Sequence, residues 1–139
     1  MNVLNSSTRV EKPDIVLDNQ SLSPDGELML NYIVNFNFEQ IINAQNRQVW
    51  QFNYICISSP LSYNLVLSSL IKALYSDEDA LAIALNYNNP LDSQDKQQEH
   101  TEEYTALQQW RAEAKTIAKE AMEYAISQNF QIADNTILQ

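Results

Sequence analysis

Glycine occurs once in this chain, at Gly26, and cysteine and histidine once each, at Cys56 and His100. A single glycine excludes the phosphate-cradling loops that need two or three, both the P-loop and the dinucleotide fingerprint. A lone cysteine excludes an internal disulfide, and one His with one Cys cannot complete a structural zinc site. Basic side chains are also scarce: 8 Lys and Arg against 18 Asp and Glu give a formal charge of -10. Such a surface repels duplex DNA and anionic lipid, so neither nucleic acid nor a membrane is expected as a partner. No apolar run approaches the ~18 residues that span a bilayer. The opening MNVLNSSTRVEKPD has no basic flank before an apolar stretch, so no secretory leader is expected. What is present is a foldable composition of 139 residues, 45% of them hydrophobic, enough for one modest core. The expectation is a single acidic α+β domain made in a reducing compartment.

Residues 1–27 read as an extended arm. Pro13 and Pro24 interrupt any helix, Asp25–Gly26 is a turn signal, and only Ile15–Val16–Leu17 can anchor the segment. Two readings stand: a leader draped on the surface, or an arm that gives Ile15–Leu17 as a strand to a neighbouring copy or partner. A β-hairpin is expected over 28–58. Tyr32, Val34, Phe36 and Phe38 alternate with Asn31, Asn35 and Asn37, with Ile33 breaking the polar parity. Trp50, Phe52, Tyr54 and Cys56 line one face of the second strand, opposite Gln51, Asn53, Ile55 and Ile57. The polar link 43–47 predicts a loop longer than a two-residue turn. Two strands alone are marginal, so the hairpin needs a helix or a partner strand to cover it, a first sign of assembly.

Residues 59–128 read as the helical part of the same domain. Ser59–Pro60 fits a cap followed by proline in the first turn, and Val66, Leu67, Leu70, Ile71 and Leu74 follow at helical spacing. Ser76 caps a second short helix whose first turn carries Asp77, Glu78 and Asp79, where the helix dipole favours acids. Leu81, Ile83, Ala84 and Tyr87 continue it as far as Asn88–Asn89–Pro90, and 91–100 reads as a polar loop or frayed turn. From about Thr101 to Gln128 neither Gly nor Pro interrupts a long helix. Along it Leu107, Trp110, Ala114, Ile117, Ala121 and Tyr124 form a narrow seam of the kind used between paired helices. The tail is 129–139. The architecture expected is therefore an arm, an antiparallel hairpin or small sheet, then three helices with the last one long.

Chemistry-bearing groups are sparse. His100 sits in a polar acidic stretch without a nucleophile elbow, and Cys56, between Ile55 and Ile57, reads as a buried inert thiol. Eight acids against Lys96 alone between Asp77 and Glu103 lack the alternating ligands and central glycine of a calcium loop. They read as a capping cluster and a solvated face, or as a surface for a basic partner. Trp110–Arg111 invites a single-strand-binding reading, but singly spaced cations make no electropositive groove. No catalytic residue, cofactor or metal site is expected. The partner-binding candidates are the seam residues together with Ile15, Val16 and Leu17.

The stretch from Tyr63 to Met122 resembles a helical module of small structural proteins of tailed phages and prophages of gut bacteria. The residues that carry the likeness are Tyr63, Leu70–Ile71, Tyr75–Ser76 with Asp79, Leu81, and the run Leu107, Gln108, Trp110, Arg111, Ala112, Ala114 and Lys115. The resemblance implies a non-enzymatic virion-associated protein, present in the bacterial cytoplasm during assembly and then in the particle. Its partners would be other protein subunits, either further copies of itself or phage structural proteins at a tail or head-tail joint. The alternative from the residues alone is an acidic modulator or DNA mimic that binds a basic host protein.

Overall fold

The computed structural model describes residues 1–58, 60–89 and 93–134. It is an α+β fold in which a four-stranded antiparallel sheet is followed by three helices, the last of them long. Two strands form the expected hairpin: β3 (Leu28–Ile42) and β4 (Gln48–Ser58). The five-residue link between them is organised by Asn43, whose side-chain oxygen accepts from the backbone of Gln45 (3.0 Å) and Arg47 (2.9 Å). Asn46 supplies the left-handed residue (φ 59°), a conformation Asn tolerates better than most side chains.

Residues 1–27 are not a free arm. They supply both edges of the sheet, as β1 (Ser6–Arg9) beside β4 and β2 (Val16–Leu22) beside β3, giving the order β1-β4-β3-β2. The Asp25–Gly26 signal closes the β2–β3 hairpin. Gly26 takes φ +83°, its N–H reaches the Ser23 carbonyl, and the Ser23 hydroxyl accepts from the Glu27 N–H. The need of the hairpin for extra strands is thus met within the chain. Because β1 and β2 lie on opposite edges, residues 10–15 cross the sheet between them.

A bulge at Asn37 corrects the simple alternation of β3. Pairing slips by one residue between Phe36 and Glu39, Asn37 adopts φ 56°, and its amide donates to Asn53 Oδ1 at 3.0 Å. The slip moves Phe38 off the face of Tyr32, Val34 and Phe36. Phe38 instead meets Phe52 (centroids 6.0 Å apart) on the opposite face, under the ammonium of Lys12 at 4.8 Å.

The helices are α1 (Tyr63–Leu74), α2 (Asp77–Tyr87) and α3 (Gln94–Ser127). The cap of α1 is Ser62, whose hydroxyl accepts from the Leu65 N–H, and the helix starts later than Ser59–Pro60 because Leu61–Ser62 are used as strand β5. Ser59 itself lies outside the described residues. Ser76 caps α2 as expected, accepting from the Asp79 N–H at 3.1 Å. The expected stop at Asn88–Asn89–Pro90 holds in its first part, with Asn88 as the C-cap; Pro90 lies outside the described residues. Helix α3 begins at Gln94, earlier than the apolar seam suggested, since Ser93 caps it. At about 1.5 Å per residue α3 is ~50 Å long. It ends in a left-handed Asn129 (φ 59°), with the Phe130 N–H bonded to Ala125 O and the Asn129 N–H to Ile126 O. That turn sends the chain back as β6 (Ile132–Asp134), parallel to β5. The rest of the expected tail, 135–139, lies outside the described residues.

One core holds these parts together. Val16, Tyr32, Val34, Phe36, Ile55 and Ile57 on the inner sheet face meet Val66 and Leu70 of α1 and the apolar side of α3. Four alanines of α3 (Ala114, Ala118, Ala121 and Ala125) are at most 1% exposed, and their short side chains let the helix backbone approach its neighbours closely. Helix α2 packs on α3 and contributes no fully buried residue.

Candidate functional site

The seam of α3 is spent inside the molecule. Leu107, Trp110, Ala114 and Ala121 are buried, and Ile117 and Tyr124 are half-buried against the same core. Trp110 lies beside Phe36 (centroids 6.0 Å apart), and its indole N–H donates to Leu70 O of α1 at 3.0 Å. The partner these residues were expected to meet is therefore the chain's own sheet and first helix. Ala118, Met122 and Ala125 belong to the same buried side and went unmarked in the seam, although their spacing carries the signal. Val16 is likewise buried, at 1% exposure, and Ile15 packs partly on the core. Leu17 is the exception. It faces the other side of the sheet.

That outer sheet face is the surface the fold leaves uncovered by helices. Cross-strand register places Leu17, Ile33 and Cys56 abreast, with Ser7 and Phe52 abreast further along. The residues Arg9, Leu17, Ile33, Asn35, Phe52 and Tyr54 line a shallow trough of about 240 Å³ there. Residues 10–15 cover only one end of the face. At that end Lys12 sits over Phe38 and Trp50, at 4.8 and 5.3 Å from the ring centroids, and Phe52 is buried. Asn35, 1% exposed, fastens the crossing by donating to Asp14 O at 2.9 Å, while its own N–H reaches Ile15 O. Beyond the crossing, Leu17, Ile33 and Tyr54 remain half-buried and Cys56 is exposed. The expectation of a buried Cys56 is thus corrected. The strand's inner parity belongs to Ile55 and Ile57, which puts Cys56 on the outer side.

A second uncovered apolar patch lies on α2. Ala80 and Ile83 face the core, whereas Leu81 and Leu85 are 61% and 63% exposed. At positions i and i+4 they share one side of the helix with Glu78, one turn back. Asp77 is also open to solvent and approaches Lys72 at 3.8 Å. Of the acidic stretch, Asp77, Glu78 and Asp79 form the first turn of α2 and Asp95, Glu99, Glu102 and Glu103 lie on α3, while Asp92 lies outside the described residues. The two helices are pinned there by the stacked rings of Tyr87 and Tyr104, 4.1 Å apart.

Between α2 and α3 lies a cavity of about 360 Å³ lined by Tyr75, Asp79, Ile83, Asn86, Glu103 and Ala106 among others. Burial, and then the negative charge of Glu103, push the Tyr75 phenol above the usual tyrosine value of 10.0. Tyr124 is raised too, first by burial and then by its hydrogen bond to Asp14 and that carboxylate's charge. Both tyrosines are therefore neutral at physiological pH and serve as packing and hydrogen-bonding groups. His100 lies half-buried on α3. Among the described residues, no group of three or more His, Cys, Asp or Glu is placed to hold a metal ion. No helix among them is long and apolar enough to cross a membrane.

The fold and its surfaces define an α+β protein whose helices all lie on one side of a four-stranded sheet, with apolar patches left on the other side and on α2. No family model matches the chain, and no curated protein or solved structure matches it significantly.

Proposed function

We propose that this chain is a non-catalytic assembly protein that joins protein subunits, acting as a structural or adaptor component of a phage particle. The observation that carries the reading is the outer sheet face, where Leu17, Ile33 and Tyr54 remain partly open to water beside an exposed Cys56. Apolar side chains on an open sheet gain about 25 cal/mol for each Å² that a partner covers. The phage setting rests on the resemblance of the helical half alone. On this reading the protein works in the bacterial cytoplasm while particles form and in the virion afterwards.

The seam is not part of this reading, since the chain's own core uses it. The contact surface is the sheet face instead, and its partners are other protein subunits, including further copies of this chain. Light scattering at low and high salt tests it. The expected result is a native mass well above the 16.0 kDa of one chain at both salts, collapsing to one chain for Ile33→Asp. A single-chain mass at both salts, or an assembly indifferent to Ile33→Asp, overturns the reading. Capture of a basic protein that salt releases would favour the acidic-modulator alternative, because exposed charge pairs are screened above ~0.1 M salt.

A further inference from the structure

Leu22, Leu28 and Met29 are exposed at the β2–β3 hairpin end, but the outer sheet face and the α2 patch are the pair that differ in shape and in the charge beside them. The outer-face trough is a floor of four strands, and at about 4.8 Å between strands it is roughly 14 Å across. Its rim at the β1 end carries Arg9, and Lys12 follows on the crossing segment, with Glu11 the one acid between them. In a chain of 18 acids and 8 bases, an apolar surface edged by two cations is a departure from the average. The patch on α2 has the opposite character. Leu81 and Leu85 stand out from the helix side facing away from α3, and Asp77 and Glu78 flank them in the first turn, Asp77 with Lys72 of α1 3.8 Å away. An α-helix with its side chains is ~10–12 Å across, which fits the width of that floor.

We infer, building on the assembly reading above, that the partner of the outer sheet face is a second copy of this chain. The outward side of α2 from one molecule seats in the trough of the next. Leu81 and Leu85 enter between Leu17, Ile33 and Tyr54, and Glu78 comes to lie near Arg9. The trough is on the helix-free side of the sheet and α2 is on the helical side. One molecule therefore offers both halves of the contact at different places on its surface. Such a contact is head to tail, and it propagates as a closed ring or as a filament rather than ending at a symmetric dimer.

The single cysteine makes the inference testable, because Cys56 already lies on the outer face. Arg9 pairs with Trp50, six residues from Cys56 along β4, so with Glu78 near Arg9 it is the C-terminal end of α2, at the exposed Asn88, that comes near Cys56. Wild-type protein is mixed with an Asn88→Cys, Cys56→Ser variant under mild oxidation and resolved without reductant. The expected product is a disulfide-linked pair of one wild-type and one variant chain, with little product from either protein alone. A chain carrying both Cys56 and Asn88→Cys should give a ladder of linked multimers. Leu81→Asp with Leu85→Asp should abolish the ladder and the assembly while leaving the melting temperature within a few degrees, since both leucines are mostly exposed.

Disulfide dimers of wild type through Cys56 alone would mean that two outer faces meet, and would overturn the inference. A salt-resistant assembly that loses mass with Ile33→Asp yet gives no mixed disulfide would also overturn it, and would leave the assembly reading standing. A native mass of one chain at every concentration would overturn both.

Discussion

Trp110→Ala separates a core residue from an interface residue. Trp110 is 5% exposed, lies beside Phe36 and donates its indole N–H to Leu70 O at 3.0 Å, so it ties α3 to both the sheet and α1. Truncating a buried Trp to Ala typically costs about 3–5 kcal/mol. Here the substitution also takes the indole donor from the Leu70 carbonyl, at about 1 kcal/mol for a lost hydrogen bond. Against a typical total of about 5–15 kcal/mol, such a loss is a large share of the stability. For a domain of this size 1 kcal/mol moves the melting temperature by roughly 3–5 °C, so a drop of about 12–30 °C is expected. Trp110→Phe keeps most of the ring and loses only the donor and some area, so its drop should be less than half as large. Thermal unfolding followed by far-ultraviolet circular dichroism, alongside urea titration, reads both. A melting temperature within about 2 °C of wild type in Trp110→Ala would refute the reasoning. If that protein also lost its native assembly, the seam would be a surface between chains after all.

Alkaline pH should destabilise the fold through the phenols of Tyr75 and Tyr124. Tyr124 and Tyr75 have folded-state values raised above 10.0, so their contribution is complete below about pH 10 and is lost as pH rises through the folded values. Urea midpoints between pH 8 and pH 11 should therefore fall less steeply in Tyr124→Phe than in wild type; parallel curves would count against the raised phenol. Gly26→Ala should cost about 1 kcal/mol through its positive φ alone, because nothing lies within 4 Å of an added Cβ. A neutral effect on the urea midpoint would show that the turn adapts. Cys56 should react with a thiol reagent in native, dilute protein within minutes and with a stoichiometry near one. Reaction only after denaturant would put it back inside.

The elements that announce themselves locally were legible in the sequence. The alternation around Tyr32 to Phe36 marked β3, Ser76 with its three acids marked the start of α2, and the spacing from Leu107 to Ala121 marked the buried side of α3. What escaped depends on contacts distant in the chain. Ser6–Arg9 is a strand whose four residues are all exposed, so no apolar alternation betrays it; its pairing with β4 does the work. Phe38 changed sides because Asn37 takes a left-handed conformation, and a one-residue slip reverses every later side chain. The first turns of α3 lack an apolar stripe and owe their helix to the Ser93 cap and the stack of Tyr104 on Tyr87. The seam shows a general limit. Periodicity identifies which side of a helix is apolar, but it does not say whether that side meets its own sheet or another chain. The candidate surface was legible only in part, through Leu17, because an outer face exists only once the helices have chosen the other one.

The order of the strands also sets a clock. β1 is made first yet pairs with β4, more than forty residues later in the chain. At ~5–20 residues per second of synthesis, its partner arrives some seconds after β1 does. Through that interval β2 and β3 can close their own hairpin, while Ser6–Arg9 has nothing to pair with. The first of these strands to be translated is thus the one that must wait for its partner, and the crossing, held at Asp14 and Ile15 by Asn35 of β3, gains its far anchor only when β1 pairs with β4.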